Sequence, residues 1–190
     1  MLMLLVAAGG AVAKDLDDRS IRIIMEMAWD QHPTRYTGPD RKTIITDKSK
    51  KAQIVVPIAT AREVIRVARL TAAAESCSLF DEATLNQRTL MKTEELKKKW
   101  SDQQLLYIAI LHAYTVNLAL NKLEFVEQGD GKTKSVKKKT FQSHRGRKCT
   151  QAEIKVILDK IQPYVLKGPL KQVKPGTPQP KPATPAAVKK

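Results

Sequence analysis

Leu105-Leu106-Tyr107-Ile108-Ala109-Ile110-Leu111-His112-Ala113-Tyr114-Thr115-Val116-Asn117-Leu118-Ala119-Leu120 is apolar nearly all round, interrupted only by His112, Thr115 and Asn117. A helix with no polar face must be wrapped on every side by its own domain. The other solution is a bilayer span, but that needs about 20 apolar residues and a partner in lipid for each interruption. Just upstream, Ser101 and Gln104 have the spacing of a capping box, in which two side chains and two backbone amides satisfy one another at a helix start. The stretch therefore predicts a central helix, and its flanks must supply the helices that surround it.

Upstream, Thr60 and Glu63 repeat the capping-box pattern after Pro57. Ala61, Val64, Ile65, Ala68 and Ala72 then recur every three or four residues, with Val67, Leu70, Ala74 and Cys77 as a second apolar line beside them. Such a broad stripe implies two packing neighbours. The chain can break and recap around Ser78 to Asp81, and Glu82 to Lys99 predicts a more exposed helix that ends on Lys97-Lys98-Lys99. Nearer the start, Asp17 or Asp18 caps a helix through Trp29. His32-Pro33 and Gly38-Pro39 then break regular structure and put Tyr36 on a loop. Two β-branched runs, Thr43 to Thr46 and Ile54 to Val56, can pair as a small β-hairpin within residues 43–56.

Downstream the chemistry changes. The chain has 190 residues and a net charge of +15. Residues 1–130 hold 18 basic and 17 acidic side chains, whereas residues 131–190 hold 16 basic and 2 acidic, so +14 of the charge sits in the last third. The segment 129–148 carries Lys132, Lys134, Lys137, Lys138, Lys139, Arg145, Arg147 and Lys148 with no acid after Asp130, and mutual repulsion predicts a flexible, solvated basic loop. Thr150 and Glu153 open a last helix in which Ile154, Ile157, Leu158, Ile161 and Val165 share one face. Residues 167–190 include PLKQVKPGTPQPKPATPAAVKK and predict a disordered Lys/Pro-rich arm. The arm's composition is similar to the Lys/Ala/Pro tails of linker-histone-like proteins, a bias that recurs in unrelated chains and carries no residue over.

The first 13 residues, MLMLLVAAGGAVA, form an uncharged apolar run that ends in Ala11-Val12-Ala13 before the polar Lys14-Asp15, as a signal peptide does. The alternative is a buried N-terminal helix, which Gly9-Gly10 would interrupt. In an exported chain, Cys77 and Cys149 imply a disulfide that pins the start of the last helix to the core. The alternatives are a buried free Cys77 with an exposed Cys149, or a low-pKa thiol at Cys149 beside Arg147 and Lys148.

No nucleophile elbow, phosphate loop, HExxH or CxxC occurs in the chain. His32, His112 and His144 lack ligand spacing, and the neighbouring carboxylates Asp17-Asp18 and Glu94-Glu95 diverge by about 100° on a helix. No catalytic residue, cofactor or metal is therefore expected, and His112 reads as a core residue held by one or two hydrogen bonds.

With 42% hydrophobic, 28% charged and 5% aromatic residues, the chain is neither collagen-like, cysteine-dense, polytopic nor wholly disordered. The expectation is an all-α bundle of about five helices spanning residues 14–166, with a signal peptide at 1–13 and the arm at 167–190. The eight basic loop residues are the candidate anion-binding set. Their implied partners are anionic envelope components: lipid headgroups, lipopolysaccharide or cell-wall polymers. An unidentified protein is the expected partner of the helical body. If the chain is not exported, the polyanion is nucleic acid, although Phe141 alone offers little base stacking.

Overall fold

The computed structural model describes residues 16–127, 133–137 and 148–172. In chain order these form α1 (Asp18–Asp30), β1 (Arg35–Thr37), β2 (Thr43–Ile45), α2 (Lys51–Ile54), α3 (Ile58–Ser76), α4 (Phe80–Leu96), α5 (Asp102–Ala119), β3 (Leu123–Glu127), β4 (Thr133–Lys137) and α6 (Gln151–Lys167). Short 3-10 turns occupy Lys48–Lys50 and Pro169–Gln172.

The architecture is a helical bundle built on α3 and α5. Helix α5 lies against α1, α3 and α4, while α3 also meets α1, α4 and α6. The apolar run thus becomes the centre of the domain: Leu106, Tyr107, Ile108, Leu111, His112, Tyr114, Thr115 and Val116 are all buried. Of these, Tyr107, Ile108, Leu111 and Tyr114 pack with Ile21, Met25, Ala28 and Trp29 of α1 and with Val64, Ile65 and Val67 of α3, while Val116 packs with Ala68 and Ala72 of α3. The Tyr107 hydroxyl donates to the Met25 carbonyl at 2.9 Å, so a deeply buried phenol ties α5 to α1. No helix among the described residues is long and apolar enough to cross a membrane.

Local chemistry explains the helix ends. Asp17 caps α1 by accepting from the Ser20 N–H at 2.7 Å. Both Ser101–Gln104 and Thr150–Glu153 form complete capping boxes. Helix α3 ends with Ser78 in the left-handed region (φ 61°), its N–H bonded to Glu75 and the Leu79 N–H bonded to Ala74. This pair of bonds is a Schellman cap, and it makes the break before α4. Asn121 (φ 55°) closes α5 in the same way, through bonds to Leu118 and Asn117.

Several expectations are corrected. Thr43–Ile45 pairs not with residues 54–56 but with Arg35–Thr37, in the register Arg35–Ile45, Tyr36–Ile44, Thr37–Thr43. Tyr36 is therefore on a strand rather than a loop. Gly38 to Lys42 makes the turn, with Arg41 at φ 64°. Ile54 instead ends the single-turn helix α2, and Ile54 and Val56 are apolar because both are buried under the bundle. Helix α3 starts at Ile58 rather than at a Thr60 cap, since the fixed geometry of Pro57 already suits the position before a helix. Glu63 consequently pairs with Arg66. Lys167 belongs to α6, and Pro169–Gln172 packs against α4 and α6, so the ordered body extends past residue 166. Residues 1–13, expected to be a signal peptide, and residues 173–190 of the expected arm lie outside the described residues.

The fold brings Cys77, the C-cap of α3, and Cys149, immediately before the Thr150 cap of α6, to disulfide-bonding distance, with their Cα atoms 5.4 Å apart. Beside this pair, Ala74, Ala83, Ile157 and Ile161 form a small separate core between α3, α4 and α6.

Candidate anion-binding surface

Three of the eight basic residues, Lys134, Lys137 and Lys148, fall within the described residues. Lys134 and Lys137 stand on β4, whose antiparallel partner β3 places Val126 opposite Lys134 and Leu123 opposite Lys137. Lys148 is exposed, one residue before Cys149 and next to the positive end of α6. Lys132, Lys138, Lys139, Arg145 and Arg147 lie outside the described residues. The expectation of a wholly flexible loop over 129–148 is thus corrected for residues 133–137. Thr133 and Val136 favour extended backbone there, and β3 supplies a partner strand. The signal was present in the alternation Leu123-Glu124-Phe125-Val126-Glu127, followed by the turn residues Gly129-Asp130-Gly131. Strand β4 also packs against α1, which anchors part of the basic segment to the body.

Sequence reasoning missed a feature on α1 itself. Arg19, Arg22, Ile23, Glu26, Met27 and Asp30 line an open groove of about 500 Å3. They recur at three- and four-residue spacing and form the stripe left outside when Ile21, Met25, Ala28 and Trp29 turn inward. The two acids are answered from neighbouring elements: Glu26 pairs with Lys51, and Asp30 raises the proton affinity of Lys48 against the effect of burial. Lys48 itself donates to the Trp29 carbonyl at 2.8 Å and sits 4.5 Å above the Trp29 ring. The Arg19 and Arg22 guanidinium groups make no hydrogen bond or ion pair among the described residues. The Ser20 hydrogen bonds hold the Asp17 carboxyl below its ordinary range, and the Arg19 backbone N–H and positive charge add to this.

The histidines have other settings. His112 is buried on α5, where its Nε2 meets the Thr71 hydroxyl at 3.1 Å. Thr71 gives its one hydroxyl proton to the Val67 carbonyl and accepts from the Asn86 amide at 3.0 Å. The Thr71 hydroxyl thus joins His112, Asn86 and the Val67 carbonyl in one buried network. A cluster of α3, α4 and α5 results, and burial pushes the imidazole down to about 4. Asn86 Oδ1, Thr89 Oγ1 and His112 Nδ1 are buried in it without a hydrogen-bond partner.

His32 packs with Trp29 and Tyr107, and its Nδ1 donates to the Pro33 carbonyl at 3.0 Å. Burial lowers its proton affinity too. His144 lies outside the described residues. No three metal-ligating side chains converge among the described residues.

Glu94 is almost fully buried on α4, accepting from the Trp100 indole at 2.8 Å and from Lys97 at 2.6 Å. Both donors lie within six residues, so this carboxylate closes the α4–α5 turn. No family model, curated protein or solved structure matches this chain.

Proposed function

We propose that this chain is a non-enzymatic, exported helical protein, periplasmic or secreted, that associates with anionic components of a cell envelope through its basic segment and arm. The observation that carries the reading is the +14 gathered after residue 130 on a body that is otherwise nearly neutral. A polycation of this density gains affinity by releasing counterions from an anionic surface, with little chemical selectivity. The body supports the reading by fixing where the charge is presented: β4 carries Lys134 and Lys137 against α1, and the Cys77–Cys149 pair holds Lys148 at the α3–α6 junction. A disulfide there fits an oxidising compartment. The helical body remains free to contact a protein partner.

The test begins with intact mass from fractionated native cells, without and then with reductant. A species outside the cytosol that gains two hydrogen masses on reduction is expected. Envelope association is then compared between the native protein and a variant with the eight basic residues replaced by serine and the chain ended after Gln172. That end point spares the Pro169–Gln172 turn packed on α4. Loss of association at low salt is expected. Unchanged association would sink the reading, and a cytosolic species with two free thiols would shift it to nucleic acid.

A further inference from the structure

We infer that the outer face of α1, with Arg19, Arg22 and Ile23 at its centre, is the surface by which this protein lies on an anionic phospholipid bilayer. The inference rests on the function proposed above and adds to it a specific, folded contact. Three features of the groove carry it.

The first is unspent charge. Glu26 is ion-paired with Lys51 and Lys48 lies in the field of Asp30, while the exposed Arg19 and Arg22 guanidinium groups make no ion pair among the described residues. Two guanidinium groups one helical turn apart suit phosphodiesters, which they bind through paired N–H donors. The second is apolar area beside those charges. Ile23 is 47% exposed in a groove that four charged residues also line, whereas Met27 is half-buried and turns its sulfur to the Tyr114 hydroxyl of α5. A β-branched side chain left in water next to two arginines fits a headgroup layer that offers phosphate outside and acyl chain within. Free phosphate or a cell-wall polymer would make no use of Ile23. Duplex nucleic acid, bound through its phosphates, would likewise make no use of Ile23, and a single strand calls for an aromatic platform that the stripe lacks.

The third is position. Strand β4 packs against this helix, so Lys134 and Lys137 stand on a neighbouring element, with Lys132, Lys138 and Lys139 adjacent to it in the chain. The diffuse charge of the basic segment would draw the protein to the surface, and the α1 stripe would set its orientation.

Co-sedimentation of the full chain with phosphatidylglycerol/phosphatidylcholine vesicles and with pure phosphatidylcholine vesicles tests this. The native protein is expected to bind only the anionic ones. Arg19→Ser and Arg22→Ser should each weaken binding about fivefold. Ile23→Ser should weaken it about tenfold without changing net charge. The pair Arg88→Ser and Lys160→Ser removes two exposed charges from α4 and α6 and should change binding less than twofold; thermal unfolding checks that each variant is folded.

If the α1 variants bind as the native chain does while the basic-segment and arm variant does not, the inference fails and the broader reading stands. If the native chain binds neither vesicle, the inference fails, and the broader reading is then decided by whether it binds lipopolysaccharide. An equal loss in the α4/α6 control pair would reduce the effect to net charge and overturn the inference. So would a concentration-dependent dimer abolished by Ile23→Ser, which would give the groove to a second copy.

Discussion

Helices α5 and α6 begin with the same device and are held in place by different ones. Each starts with a complete capping box, Ser101–Gln104 in one and Thr150–Glu153 in the other. Beyond that first turn, α5 buries eight residues against three neighbouring helices, whereas α6 buries only Ile157 and Ile161 and leaves Val156 and Leu166 more than half exposed. Burial alone accounts for the position of α5. For α6 the apolar contact is slight, and its fixed points are at its two ends: Cys149 before the cap, and Gly168 where the chain passes close to α4. A helix that closes a basic segment is thus held by a narrow apolar face and by two end points, rather than by broad burial. That arrangement can hold a charged appendage on a small core without adding apolar surface.

The largest expected effect comes from breaking the first of those points. The Cys77–Cys149 bond closes a loop with a sequence separation of 72, for which the chain-entropy account gives about 4 kcal/mol. Cys77→Ala with Cys149→Ser should lower the melting temperature by about 10 °C for a chain of this size. Amide hydrogen exchange should rise most in α6 and least in α5. A uniform rise across both helices would mean that the bond stabilises the whole bundle and that α6 is not a separately attached element.

Next in size is an effect on the face-held helix. His112 is kept neutral in the fold, its pKa about 4 against 6.5 for the free group. The unfolded chain therefore binds a proton that the folded one refuses once the pH drops below 6.5. Stability associated with this group is complete above pH 6.5 and declines as the pH falls to 4, by about 3 kcal/mol in all. His32 is shifted in the same direction and adds to the slope. Denaturant midpoints for the native chain and for His112→Gln, measured at pH 7 and pH 4, separate this contribution from those of the carboxylates. The native chain should lose more stability than the variant between the two values. Equal losses would show that protonation of His112 is not linked to folding.

What could be read from the residues follows the range of the interactions involved. Both capping boxes and the Asp17 cap are local, and each was visible from a spacing of three. The Ser78 break lies between two well-patterned helices, and with only two cysteines in the chain the pairing had one solution. The expected hairpin partner differs because the run Ile54-Val55-Val56 is β-branched for another reason, burial of Ile54 and Val56 under the bundle, while the true partner Arg35–Thr37 is exposed along its length and has no apolar pattern to mark it. The Thr71–His112 bond joins positions 41 apart, and no local signal announces it. Of the candidate anion-binding residues, Lys134, Lys137 and Lys148 acquire definite positions. Arg19 and Arg22 escaped notice because their importance lies in what fails to pair with them, and that depends on Lys48 and Lys51 folding back onto α1.

The smallest effect probes the second attachment of α6. Gly168 has φ −78°, a backbone angle open to any residue, so its requirement is one of space. A Cβ built there would stand 2.3 Å from Thr89 Cγ2 and 3.2 Å from the Tyr164 carbonyl. Thr89 is fully buried on α4, and β-branching leaves it little freedom to turn aside. Gly168→Ala must therefore push the end of α6 and the following 3-10 turn away from α4, at a cost of about 2 kcal/mol. Thr89→Ser removes the obstructing methyl while keeping the hydroxyl. In that background the same glycine substitution should cost less than about 1 kcal/mol, and the difference is the coupling energy of the contact. Equal costs in both backgrounds would place the strain at the Tyr164 carbonyl, within α6 itself. The disulfide would then be the one tight end attachment of this helix beside its small core at Ile157 and Ile161, and the contrast with α5 would be sharper still.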